Sequence, residues 1–229
     1  MMKDRFAILD AWRSAAVFLM VIYHFLYDLY IFGVMTAGQL FATPLNVMQK
    51  FICCSFILLA GMSARFSRSN LRHGLIVLAA GAVIEAGAAV GGQTIRFGIL
   101  MFMGASMLLY HFLGKWFQKL PAPLVVIGSG ALYFLTDWFT SKVRVQAVWL
   151  YPLGFMYPGF FSADYFPLMP WFFLFLIGTV LGGWCLEHRE NSLLSASLPA
   201  VLTWPGRHSL IIYVLHQPVL YGVSYLIWG

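Results

Sequence analysis

Four ionisable side chains interrupt one long apolar run near the start of the chain: Asp10, Arg13, His24 and Asp28. A charged side chain at the centre of a membrane-inserted helix costs about 2.5–3.5 kcal/mol, so such groups are kept for pairing, proton transfer or ligand binding. Arg13 and His24 are eleven residues apart. At 100° per residue they return to within about 20° of one face, roughly 16 Å apart along the axis. Asp10 sits one turn before Arg13 and Asp28 one turn past His24. The spacing therefore predicts a single stripe of acid, base, imidazole and acid that faces the protein interior or a wet cleft. Two readings stay open on these residues alone. In one, Asp10 pairs with Arg13 and His24 bonds Asp28, all structurally. In the other, the stripe does acid–base chemistry.

The last apolar run repeats the theme with Arg207, His208, Ser209, Tyr213, His216 and Gln217. Ser209 and His216 are seven residues apart and so nearly aligned, with Tyr213 close to that face. Pro218 frees a backbone carbonyl near His216. Glu85 stands alone among alanine, glycine and valine and is expected to need a cationic or protonated partner, Arg13 or a histidine. His73, His111 and His188 fall in loops or at run ends and suggest no site.

These groups need elements to position them, and the composition says which. Apolar and aromatic residues make up 61% of the 229 residues, and charged ones only 10%. A soluble domain carries about 25% charged residues, so lipid must solvate most of this chain. Seven runs reach the span length of about 20 residues: 7–32, 47–66, 74–92, 96–114, 121–139, 168–186 and 207–228. The expected fold is an all-α, polytopic membrane helix bundle forming a single domain over residues 1–229. The first run carries Arg13, His24 and Asp28 and lacks a small-x-small cleavage site, so it reads as a retained span and not a signal peptide.

The net charge of +6 comes from basic residues scattered singly between apolar runs. That pattern suits membrane anchoring and no nucleic-acid partner. With a cytoplasmic N-terminus, Lys3, Arg5, Arg13, Arg65, Arg68, Arg72, Lys115, Lys119, Arg189 and Arg207 share that side. Lys50, Arg96, Lys142 and Arg144 fall opposite, and the excess favours that orientation. Residues 187–205 read as polar, with Pro199 and Pro205 breaking any helix. Residues 143–170 are proline- and aromatic-rich, and are expected to lie in the interface or fold back against protein. Cys53, Cys54 and Cys185 form no disulfide or metal framework and read as packing.

Several of these segments together resemble a known family. Leu9-Asp10-Ala11-Trp12-Arg13, ten residues and then His24 resembles the opening of transmembrane acyltransferases, which carry an Arg–ten residues–His signature. The closer likeness is to the branch related to the heparan-alpha-glucosaminide N-acetyltransferase catalytic domain. It extends through Phe97-Gly98-Ile99-Leu100, Asp164-Tyr165-Phe166-Pro167-Leu168-Met169-Pro170-Trp171 and Gly206-Arg207-His208-Ser209-Leu210 with Tyr213, His216, Gln217 and Pro218. Ser14 stands where glycine is usual, and Met101 where histidine is frequent. The resemblance implies a multi-pass protein of a cell membrane that moves an acyl group, usually acetyl, from cytoplasmic acyl-CoA. The acceptor would be a hydroxyl or amine of a glycan, glycolipid or other lipid-linked molecule.

On that reading acetyl-CoA or another acyl-CoA is a co-substrate, no metal is expected, and the bilayer is the solvent. At the donor site Arg13 and Arg207, with Arg65 and Arg68, would hold the phosphates, and Asp10 would orient or charge-balance the arginine. His24, Asp28 and His216 would be catalytic, His24 as general base or transient acyl carrier. His216 and Tyr213 would serve as donors on the oxyanion side. Asp164, Trp171 and Tyr213 would bind the acceptor. Two alternatives carry different chemistry. A zinc hydrolase of the ceramidase type would draw ligands from His24, Asp28, Ser209 and His216. A small transporter would line a pathway with the same groups. The sequence leaves the acceptor, the acyl length and the oligomeric state open.

Overall fold

The computed structural model describes residues 6–229; Lys3 and Arg5 of the basic set lie outside the described residues. The elements in order are α1 (Ala7–Ile31), α2 (Ala37–Leu40), α3 (Thr43–Phe66), α4 (Asn70–Val90), α5 (Ile99–Phe117), α6 (Ala122–Lys142), a 3-10 turn (Val148–Leu153), α7 (Leu168–Glu187), α8 (Ser192–Ser195), α9 (Ala200–Arg207) and α10 (Ser209–Trp228). Among the described residues there is no strand, only an isolated bridge between Arg144 and Met156. Seven helices are long and apolar enough to cross a membrane: α1, α3, α4, α5, α6, α7 and α10. They coincide with the seven expected runs. A helix satisfies its own backbone hydrogen bonds, and in hydrocarbon no other open element does.

Local sequence sets the helix ends. Thr36 and Gln39 form a reciprocal cap on α2. Ser69 Oγ accepts the Arg72 N–H at 3.3 Å to start α4, and Pro123 occupies the first turn of α6, where a missing N–H is harmless.

The chain forms two compact units: residues up to Phe56 with His188–Gly229, and Ile57–Glu187. In the first, α1 packs on α9 and α10. Its buried residues include Leu9, Asp10, Ala16, Val17, Met20 and Tyr23, while Phe18 is 66% exposed on the opposite, lipid-type face. Gly206 lets α9 lie backbone-on against α1, because a Cβ there would collide with the Asp10 carbonyl oxygen. Gly206 N donates to Ser14 Oγ at 2.7 Å, and Ser14 Oγ donates to Asp10 O at 3.0 Å. Trp12 Nε1 reaches Ser55 Oγ of α3 at 3.1 Å.

In the second unit, small residues again permit close helix approach. Gly178 meets the Leu58 carbonyl of α3, and Gly61 of α3 meets the Phe175 carbonyl of α7. The proline-rich segment is irregular, as expected, and folds back on protein. Ala163 N donates to Thr94 O at 2.9 Å and Phe166 N to Phe97 O at 3.0 Å. Tyr165 Oη donates to Tyr151 O at 2.7 Å.

One expectation fails in this region of the fold. Residues 187–205 were to be free of helix, yet α9 starts at Ala200 and contains Pro205. Pro199 sits at the N-cap, where it lacks nothing the helix needs. Pro205 lies in the last turn, where it forfeits one N–H bond to the Val201 carbonyl, and α9 ends two residues later. The cysteines are free, Cys185 buried and Cys53 and Cys54 half-buried.

Candidate functional site

The predicted stripe exists, and within the first unit α9 and α10 supply its partners. At one end the Asp10 carboxylate, 2% exposed, joins two arginines. Asp10 Oδ1 lies 3.2 Å from Arg13 Nη1, and Asp10 Oδ2 lies 3.3 Å from Arg207 Nε. The Arg13 side chain is 19% exposed and that of Arg207 46%. Arg207 therefore keeps much of its guanidinium turned outward. Among the described residues two guanidiniums share this carboxylate, and their planar donors suit phosphate oxygens.

Eleven residues further along α1 the partners change from arginine to imidazole and amide. The His24 and His216 rings meet edge to face, centroids 4.8 Å apart. His216 Nδ1 lies 2.7 Å from Tyr213 O. A carbonyl only accepts, so this bond assigns the proton to Nδ1 and leaves the Nε2 lone pair of neutral His216 available. Nε2 has no hydrogen-bond partner. In this tautomer His216 offers an acceptor and not the oxyanion donor anticipated from the sequence. Asp28 is fully buried, and its Oδ1 accepts from Gln217 Nε2 at 2.8 Å. Asp28 thus leans on an amide and not on His24, the partner that the spacing suggested.

The three residues expected at the acceptor divide between the two units. Tyr213 belongs to the first unit, its ring 5.5 Å from His216 and 6.3 Å from Phe56. Asp164 and Trp171 belong to the second. Trp171 packs between Phe166 and Tyr133, at 5.1 and 5.6 Å. Asp164 Oδ2 accepts the Ile99 N–H at 3.0 Å, and Glu85 Oε1 accepts the neighbouring Gly98 N–H at 3.0 Å. Glu85 was expected to find a cation or a histidine. It finds instead the start of α5, whose orphan N–H groups and dipole favour negative charge.

Among the described residues, no group of three or more His, Cys, Asp and Glu side chains is spaced to hold a metal ion.

A family model for the heparan-alpha-glucosaminide N-acetyltransferase catalytic domain matches residues 5–218. The chain belongs to that family. Nothing among the curated proteins and nothing among the solved structures matches it. With seven apolar helices, this member of the N-acetyltransferase catalytic family is an integral membrane protein of an acetyltransferase class. The match spans both the Asp10–Arg13–Arg207 cluster and the His24–His216–Gln217–Asp28 cluster, ending one residue past Gln217.

Asp164 makes the acetyltransferase-family fold sensitive to pH. Burial pushes its carboxyl up to about 6; the Ile99 N–H opposes the shift and the Glu85 carboxylate adds to it. The folded form thus binds the proton more tightly than the unfolded chain, whose reference value is 3.8. That contribution is fully present below the unfolded value and is lost as pH rises through about 6. Asp164→Asn keeps a carbonyl for the Ile99 N–H but cannot ionise. We expect the thermal midpoint in detergent to fall from pH 4 to pH 7 in the wild type, and this part of the slope to vanish in the variant. An unchanged slope would exclude Asp164 as the source.

Proposed function

We propose that the protein transfers an acyl group, acetyl in the first instance, from acyl-CoA to a hydroxyl or amine of a glycan, glycolipid or other lipid-linked acceptor. The observation that carries this reading is the pairing along α1. Arg13 and Asp10 meet Arg207 at one end, and His24 and Asp28 meet His216 and Gln217 at the other. The roughly 16 Å of helical rise between Arg13 and His24 suits a donor whose phosphates rest on arginine and whose thioester lies deep in the protein.

The arginine end faces the cytoplasm, where the basic residues predominate. Asp10 holds both guanidiniums in place and so pre-orients their planar donors for phosphate. At the other end a neutral His24 nitrogen takes the proton of the acceptor's O–H or N–H as that atom attacks the thioester carbonyl. The C–S bond then breaks, and the leaving thiolate takes up the proton. His216, with its Nε2 lone pair directed into the same cluster, is the second acceptor for the nucleophile's proton or for an ordered hydroxyl.

Titration of the purified protein with acetyl-CoA tests the donor half. Arg13→Ala is expected to raise the Kd for acetyl-CoA about 10- to 100-fold, in line with charge-assisted hydrogen bonds of about 1.5–3 kcal/mol, with a smaller effect on kcat. Unchanged affinity would remove Arg13 from the donor site, and absence of any acyl-CoA binding by the wild type would remove the reading itself.

A further inference from the structure

Three buried polar atoms in one patch of the α1–α10 seam have no hydrogen-bond partner: Asp28 Oδ2, His216 Nε2 and Gln217 Oε1. The third is the informative one. The Gln217 NH2 group donates to Asp28 Oδ1 at 2.8 Å, since an amide nitrogen can only donate. That settles the orientation of the amide and turns Oε1 away from Asp28. Oε1 can only accept, and a buried acceptor without a donor costs about 1–3 kcal/mol.

The donors within the cluster are few. His216 has committed its Nδ1–H to Tyr213 O, and its Nε2 carries a lone pair. The patch also holds the His24 imidazole, whose ring meets that of His216, the residue before Gln217, with centroids 4.8 Å apart. His24 also lies one helical turn from Asp28, on the side of α1 that α10 covers.

We infer that Gln217 is the positioning residue for His24: its amide nitrogen anchors on Asp28, and its unpaired amide oxygen is the acceptor onto which a small turn of the His24 ring brings a ring N–H. Holding one ring nitrogen as the donor leaves the other with the lone pair, which is the base-competent tautomer. The amide passes on the orienting effect of Asp28 but accepts no proton at neutral pH. Asp28 therefore fixes the imidazole without competing for the proton that the imidazole removes. This role rests on the acyltransferase reading for its catalytic meaning, while the tautomer it sets can be observed without turnover.

The test uses Gln217→Met, which keeps length and loses both polar ends. Gln217→Asn, which keeps the amide but withdraws it by one methylene, is the second variant should the first fail to fold. In full-length protein labelled with 15N-histidine and reconstituted in bilayers, the His24 signals are assigned by their loss in His24→Ala. The wild type is expected to show one protonated, hydrogen-bonded His24 nitrogen and one bare nitrogen, and the variants a changed tautomer ratio. In turnover, Gln217→Met should lower kcat about 100-fold with KM for acyl-CoA within about twofold. The double variant Gln217→Met with Asp28→Asn should be no slower than the worse single one, as members of one unit behave. Unchanged His24 signals, an unchanged kcat, or losses that multiply in the double variant would each overturn the role of Gln217. Full activity in His24→Ala would instead overturn the acyltransferase assignment of His24, and the 15N signature would still decide what Gln217 does.

Discussion

Replacement of His24 by alanine is expected to reduce acyl transfer by about 10²- to 10⁴-fold, the range for removal of a general base. His24 is half-buried and its ring meets Tyr23 and His216 at 6.2 and 4.8 Å. It makes no ion pair, so the fold should survive its removal with a modest loss of packing. Donor binding should also survive, because Arg13 and Arg207 meet at Asp10, about 16 Å away along α1. The measurement is thiol release from acetyl-CoA together with acetyl-CoA affinity and the thermal midpoint. A low kcat with unchanged affinity and midpoint is the expected pattern. Normal turnover would exclude His24 as the base, and a collapsed midpoint would point to a packing role.

Gly206→Ala is expected to be the most damaging single methyl addition in the first unit. The new Cβ would land on the Asp10 carbonyl oxygen and within 3.0 Å of Ser14 Oγ. Backbone cannot swing aside as a side chain does, so α9 must move off α1. Overpacking typically costs about 1–3 kcal/mol, and here it also strains the Gly206 N–H bond to Ser14 Oγ at 2.7 Å. Arg207 follows Gly206 directly, so its 3.3 Å contact with Asp10 would lengthen. The expected result is a lower thermal midpoint and an acetyl-CoA Kd raised about tenfold, about 1.4 kcal/mol. Gly222→Ala is the control, because nothing lies within 4 Å of a Cβ there. Equal midpoints for the two variants would contradict the close α1–α9 approach.

Much of this was readable from residue order. Hydropathy located every spanning helix, because lipid demands long uninterrupted runs. Helical periodicity located the α1 stripe, because 3.6 residues per turn fixes which side chains share a face. What periodicity cannot supply is the identity of a partner on another helix. Gln217 lies 189 residues from Asp28, and an Asp28–His24 bond satisfied the local spacing equally well. Glu85 misled for a different reason. Its partner is a backbone N–H, a group every residue but proline carries, so no side-chain pattern announces it. Ser14 is a further case: its hydroxyl bridges α1 to the Gly206 amide, which gives a structural reason for serine at a position where glycine is usual. Pro205 shows the limit of a breaker rule, since one lost N–H bond in the last turn ends a helix without preventing it.

The paired carboxylates over the first turn of α5 also decide what cannot approach it. A bare helix N-terminus carries about half a positive charge and attracts anions. Here Glu85 and Asp164 already occupy the Gly98 and Ile99 amides, and the nearby Arg96 guanidinium lies over the Tyr157 ring, 6.0 Å from its centroid. The two carboxyl groups take up the amides that would otherwise draw an anion. A sulfate or phosphate would therefore find the Gly98 and Ile99 amides already taken.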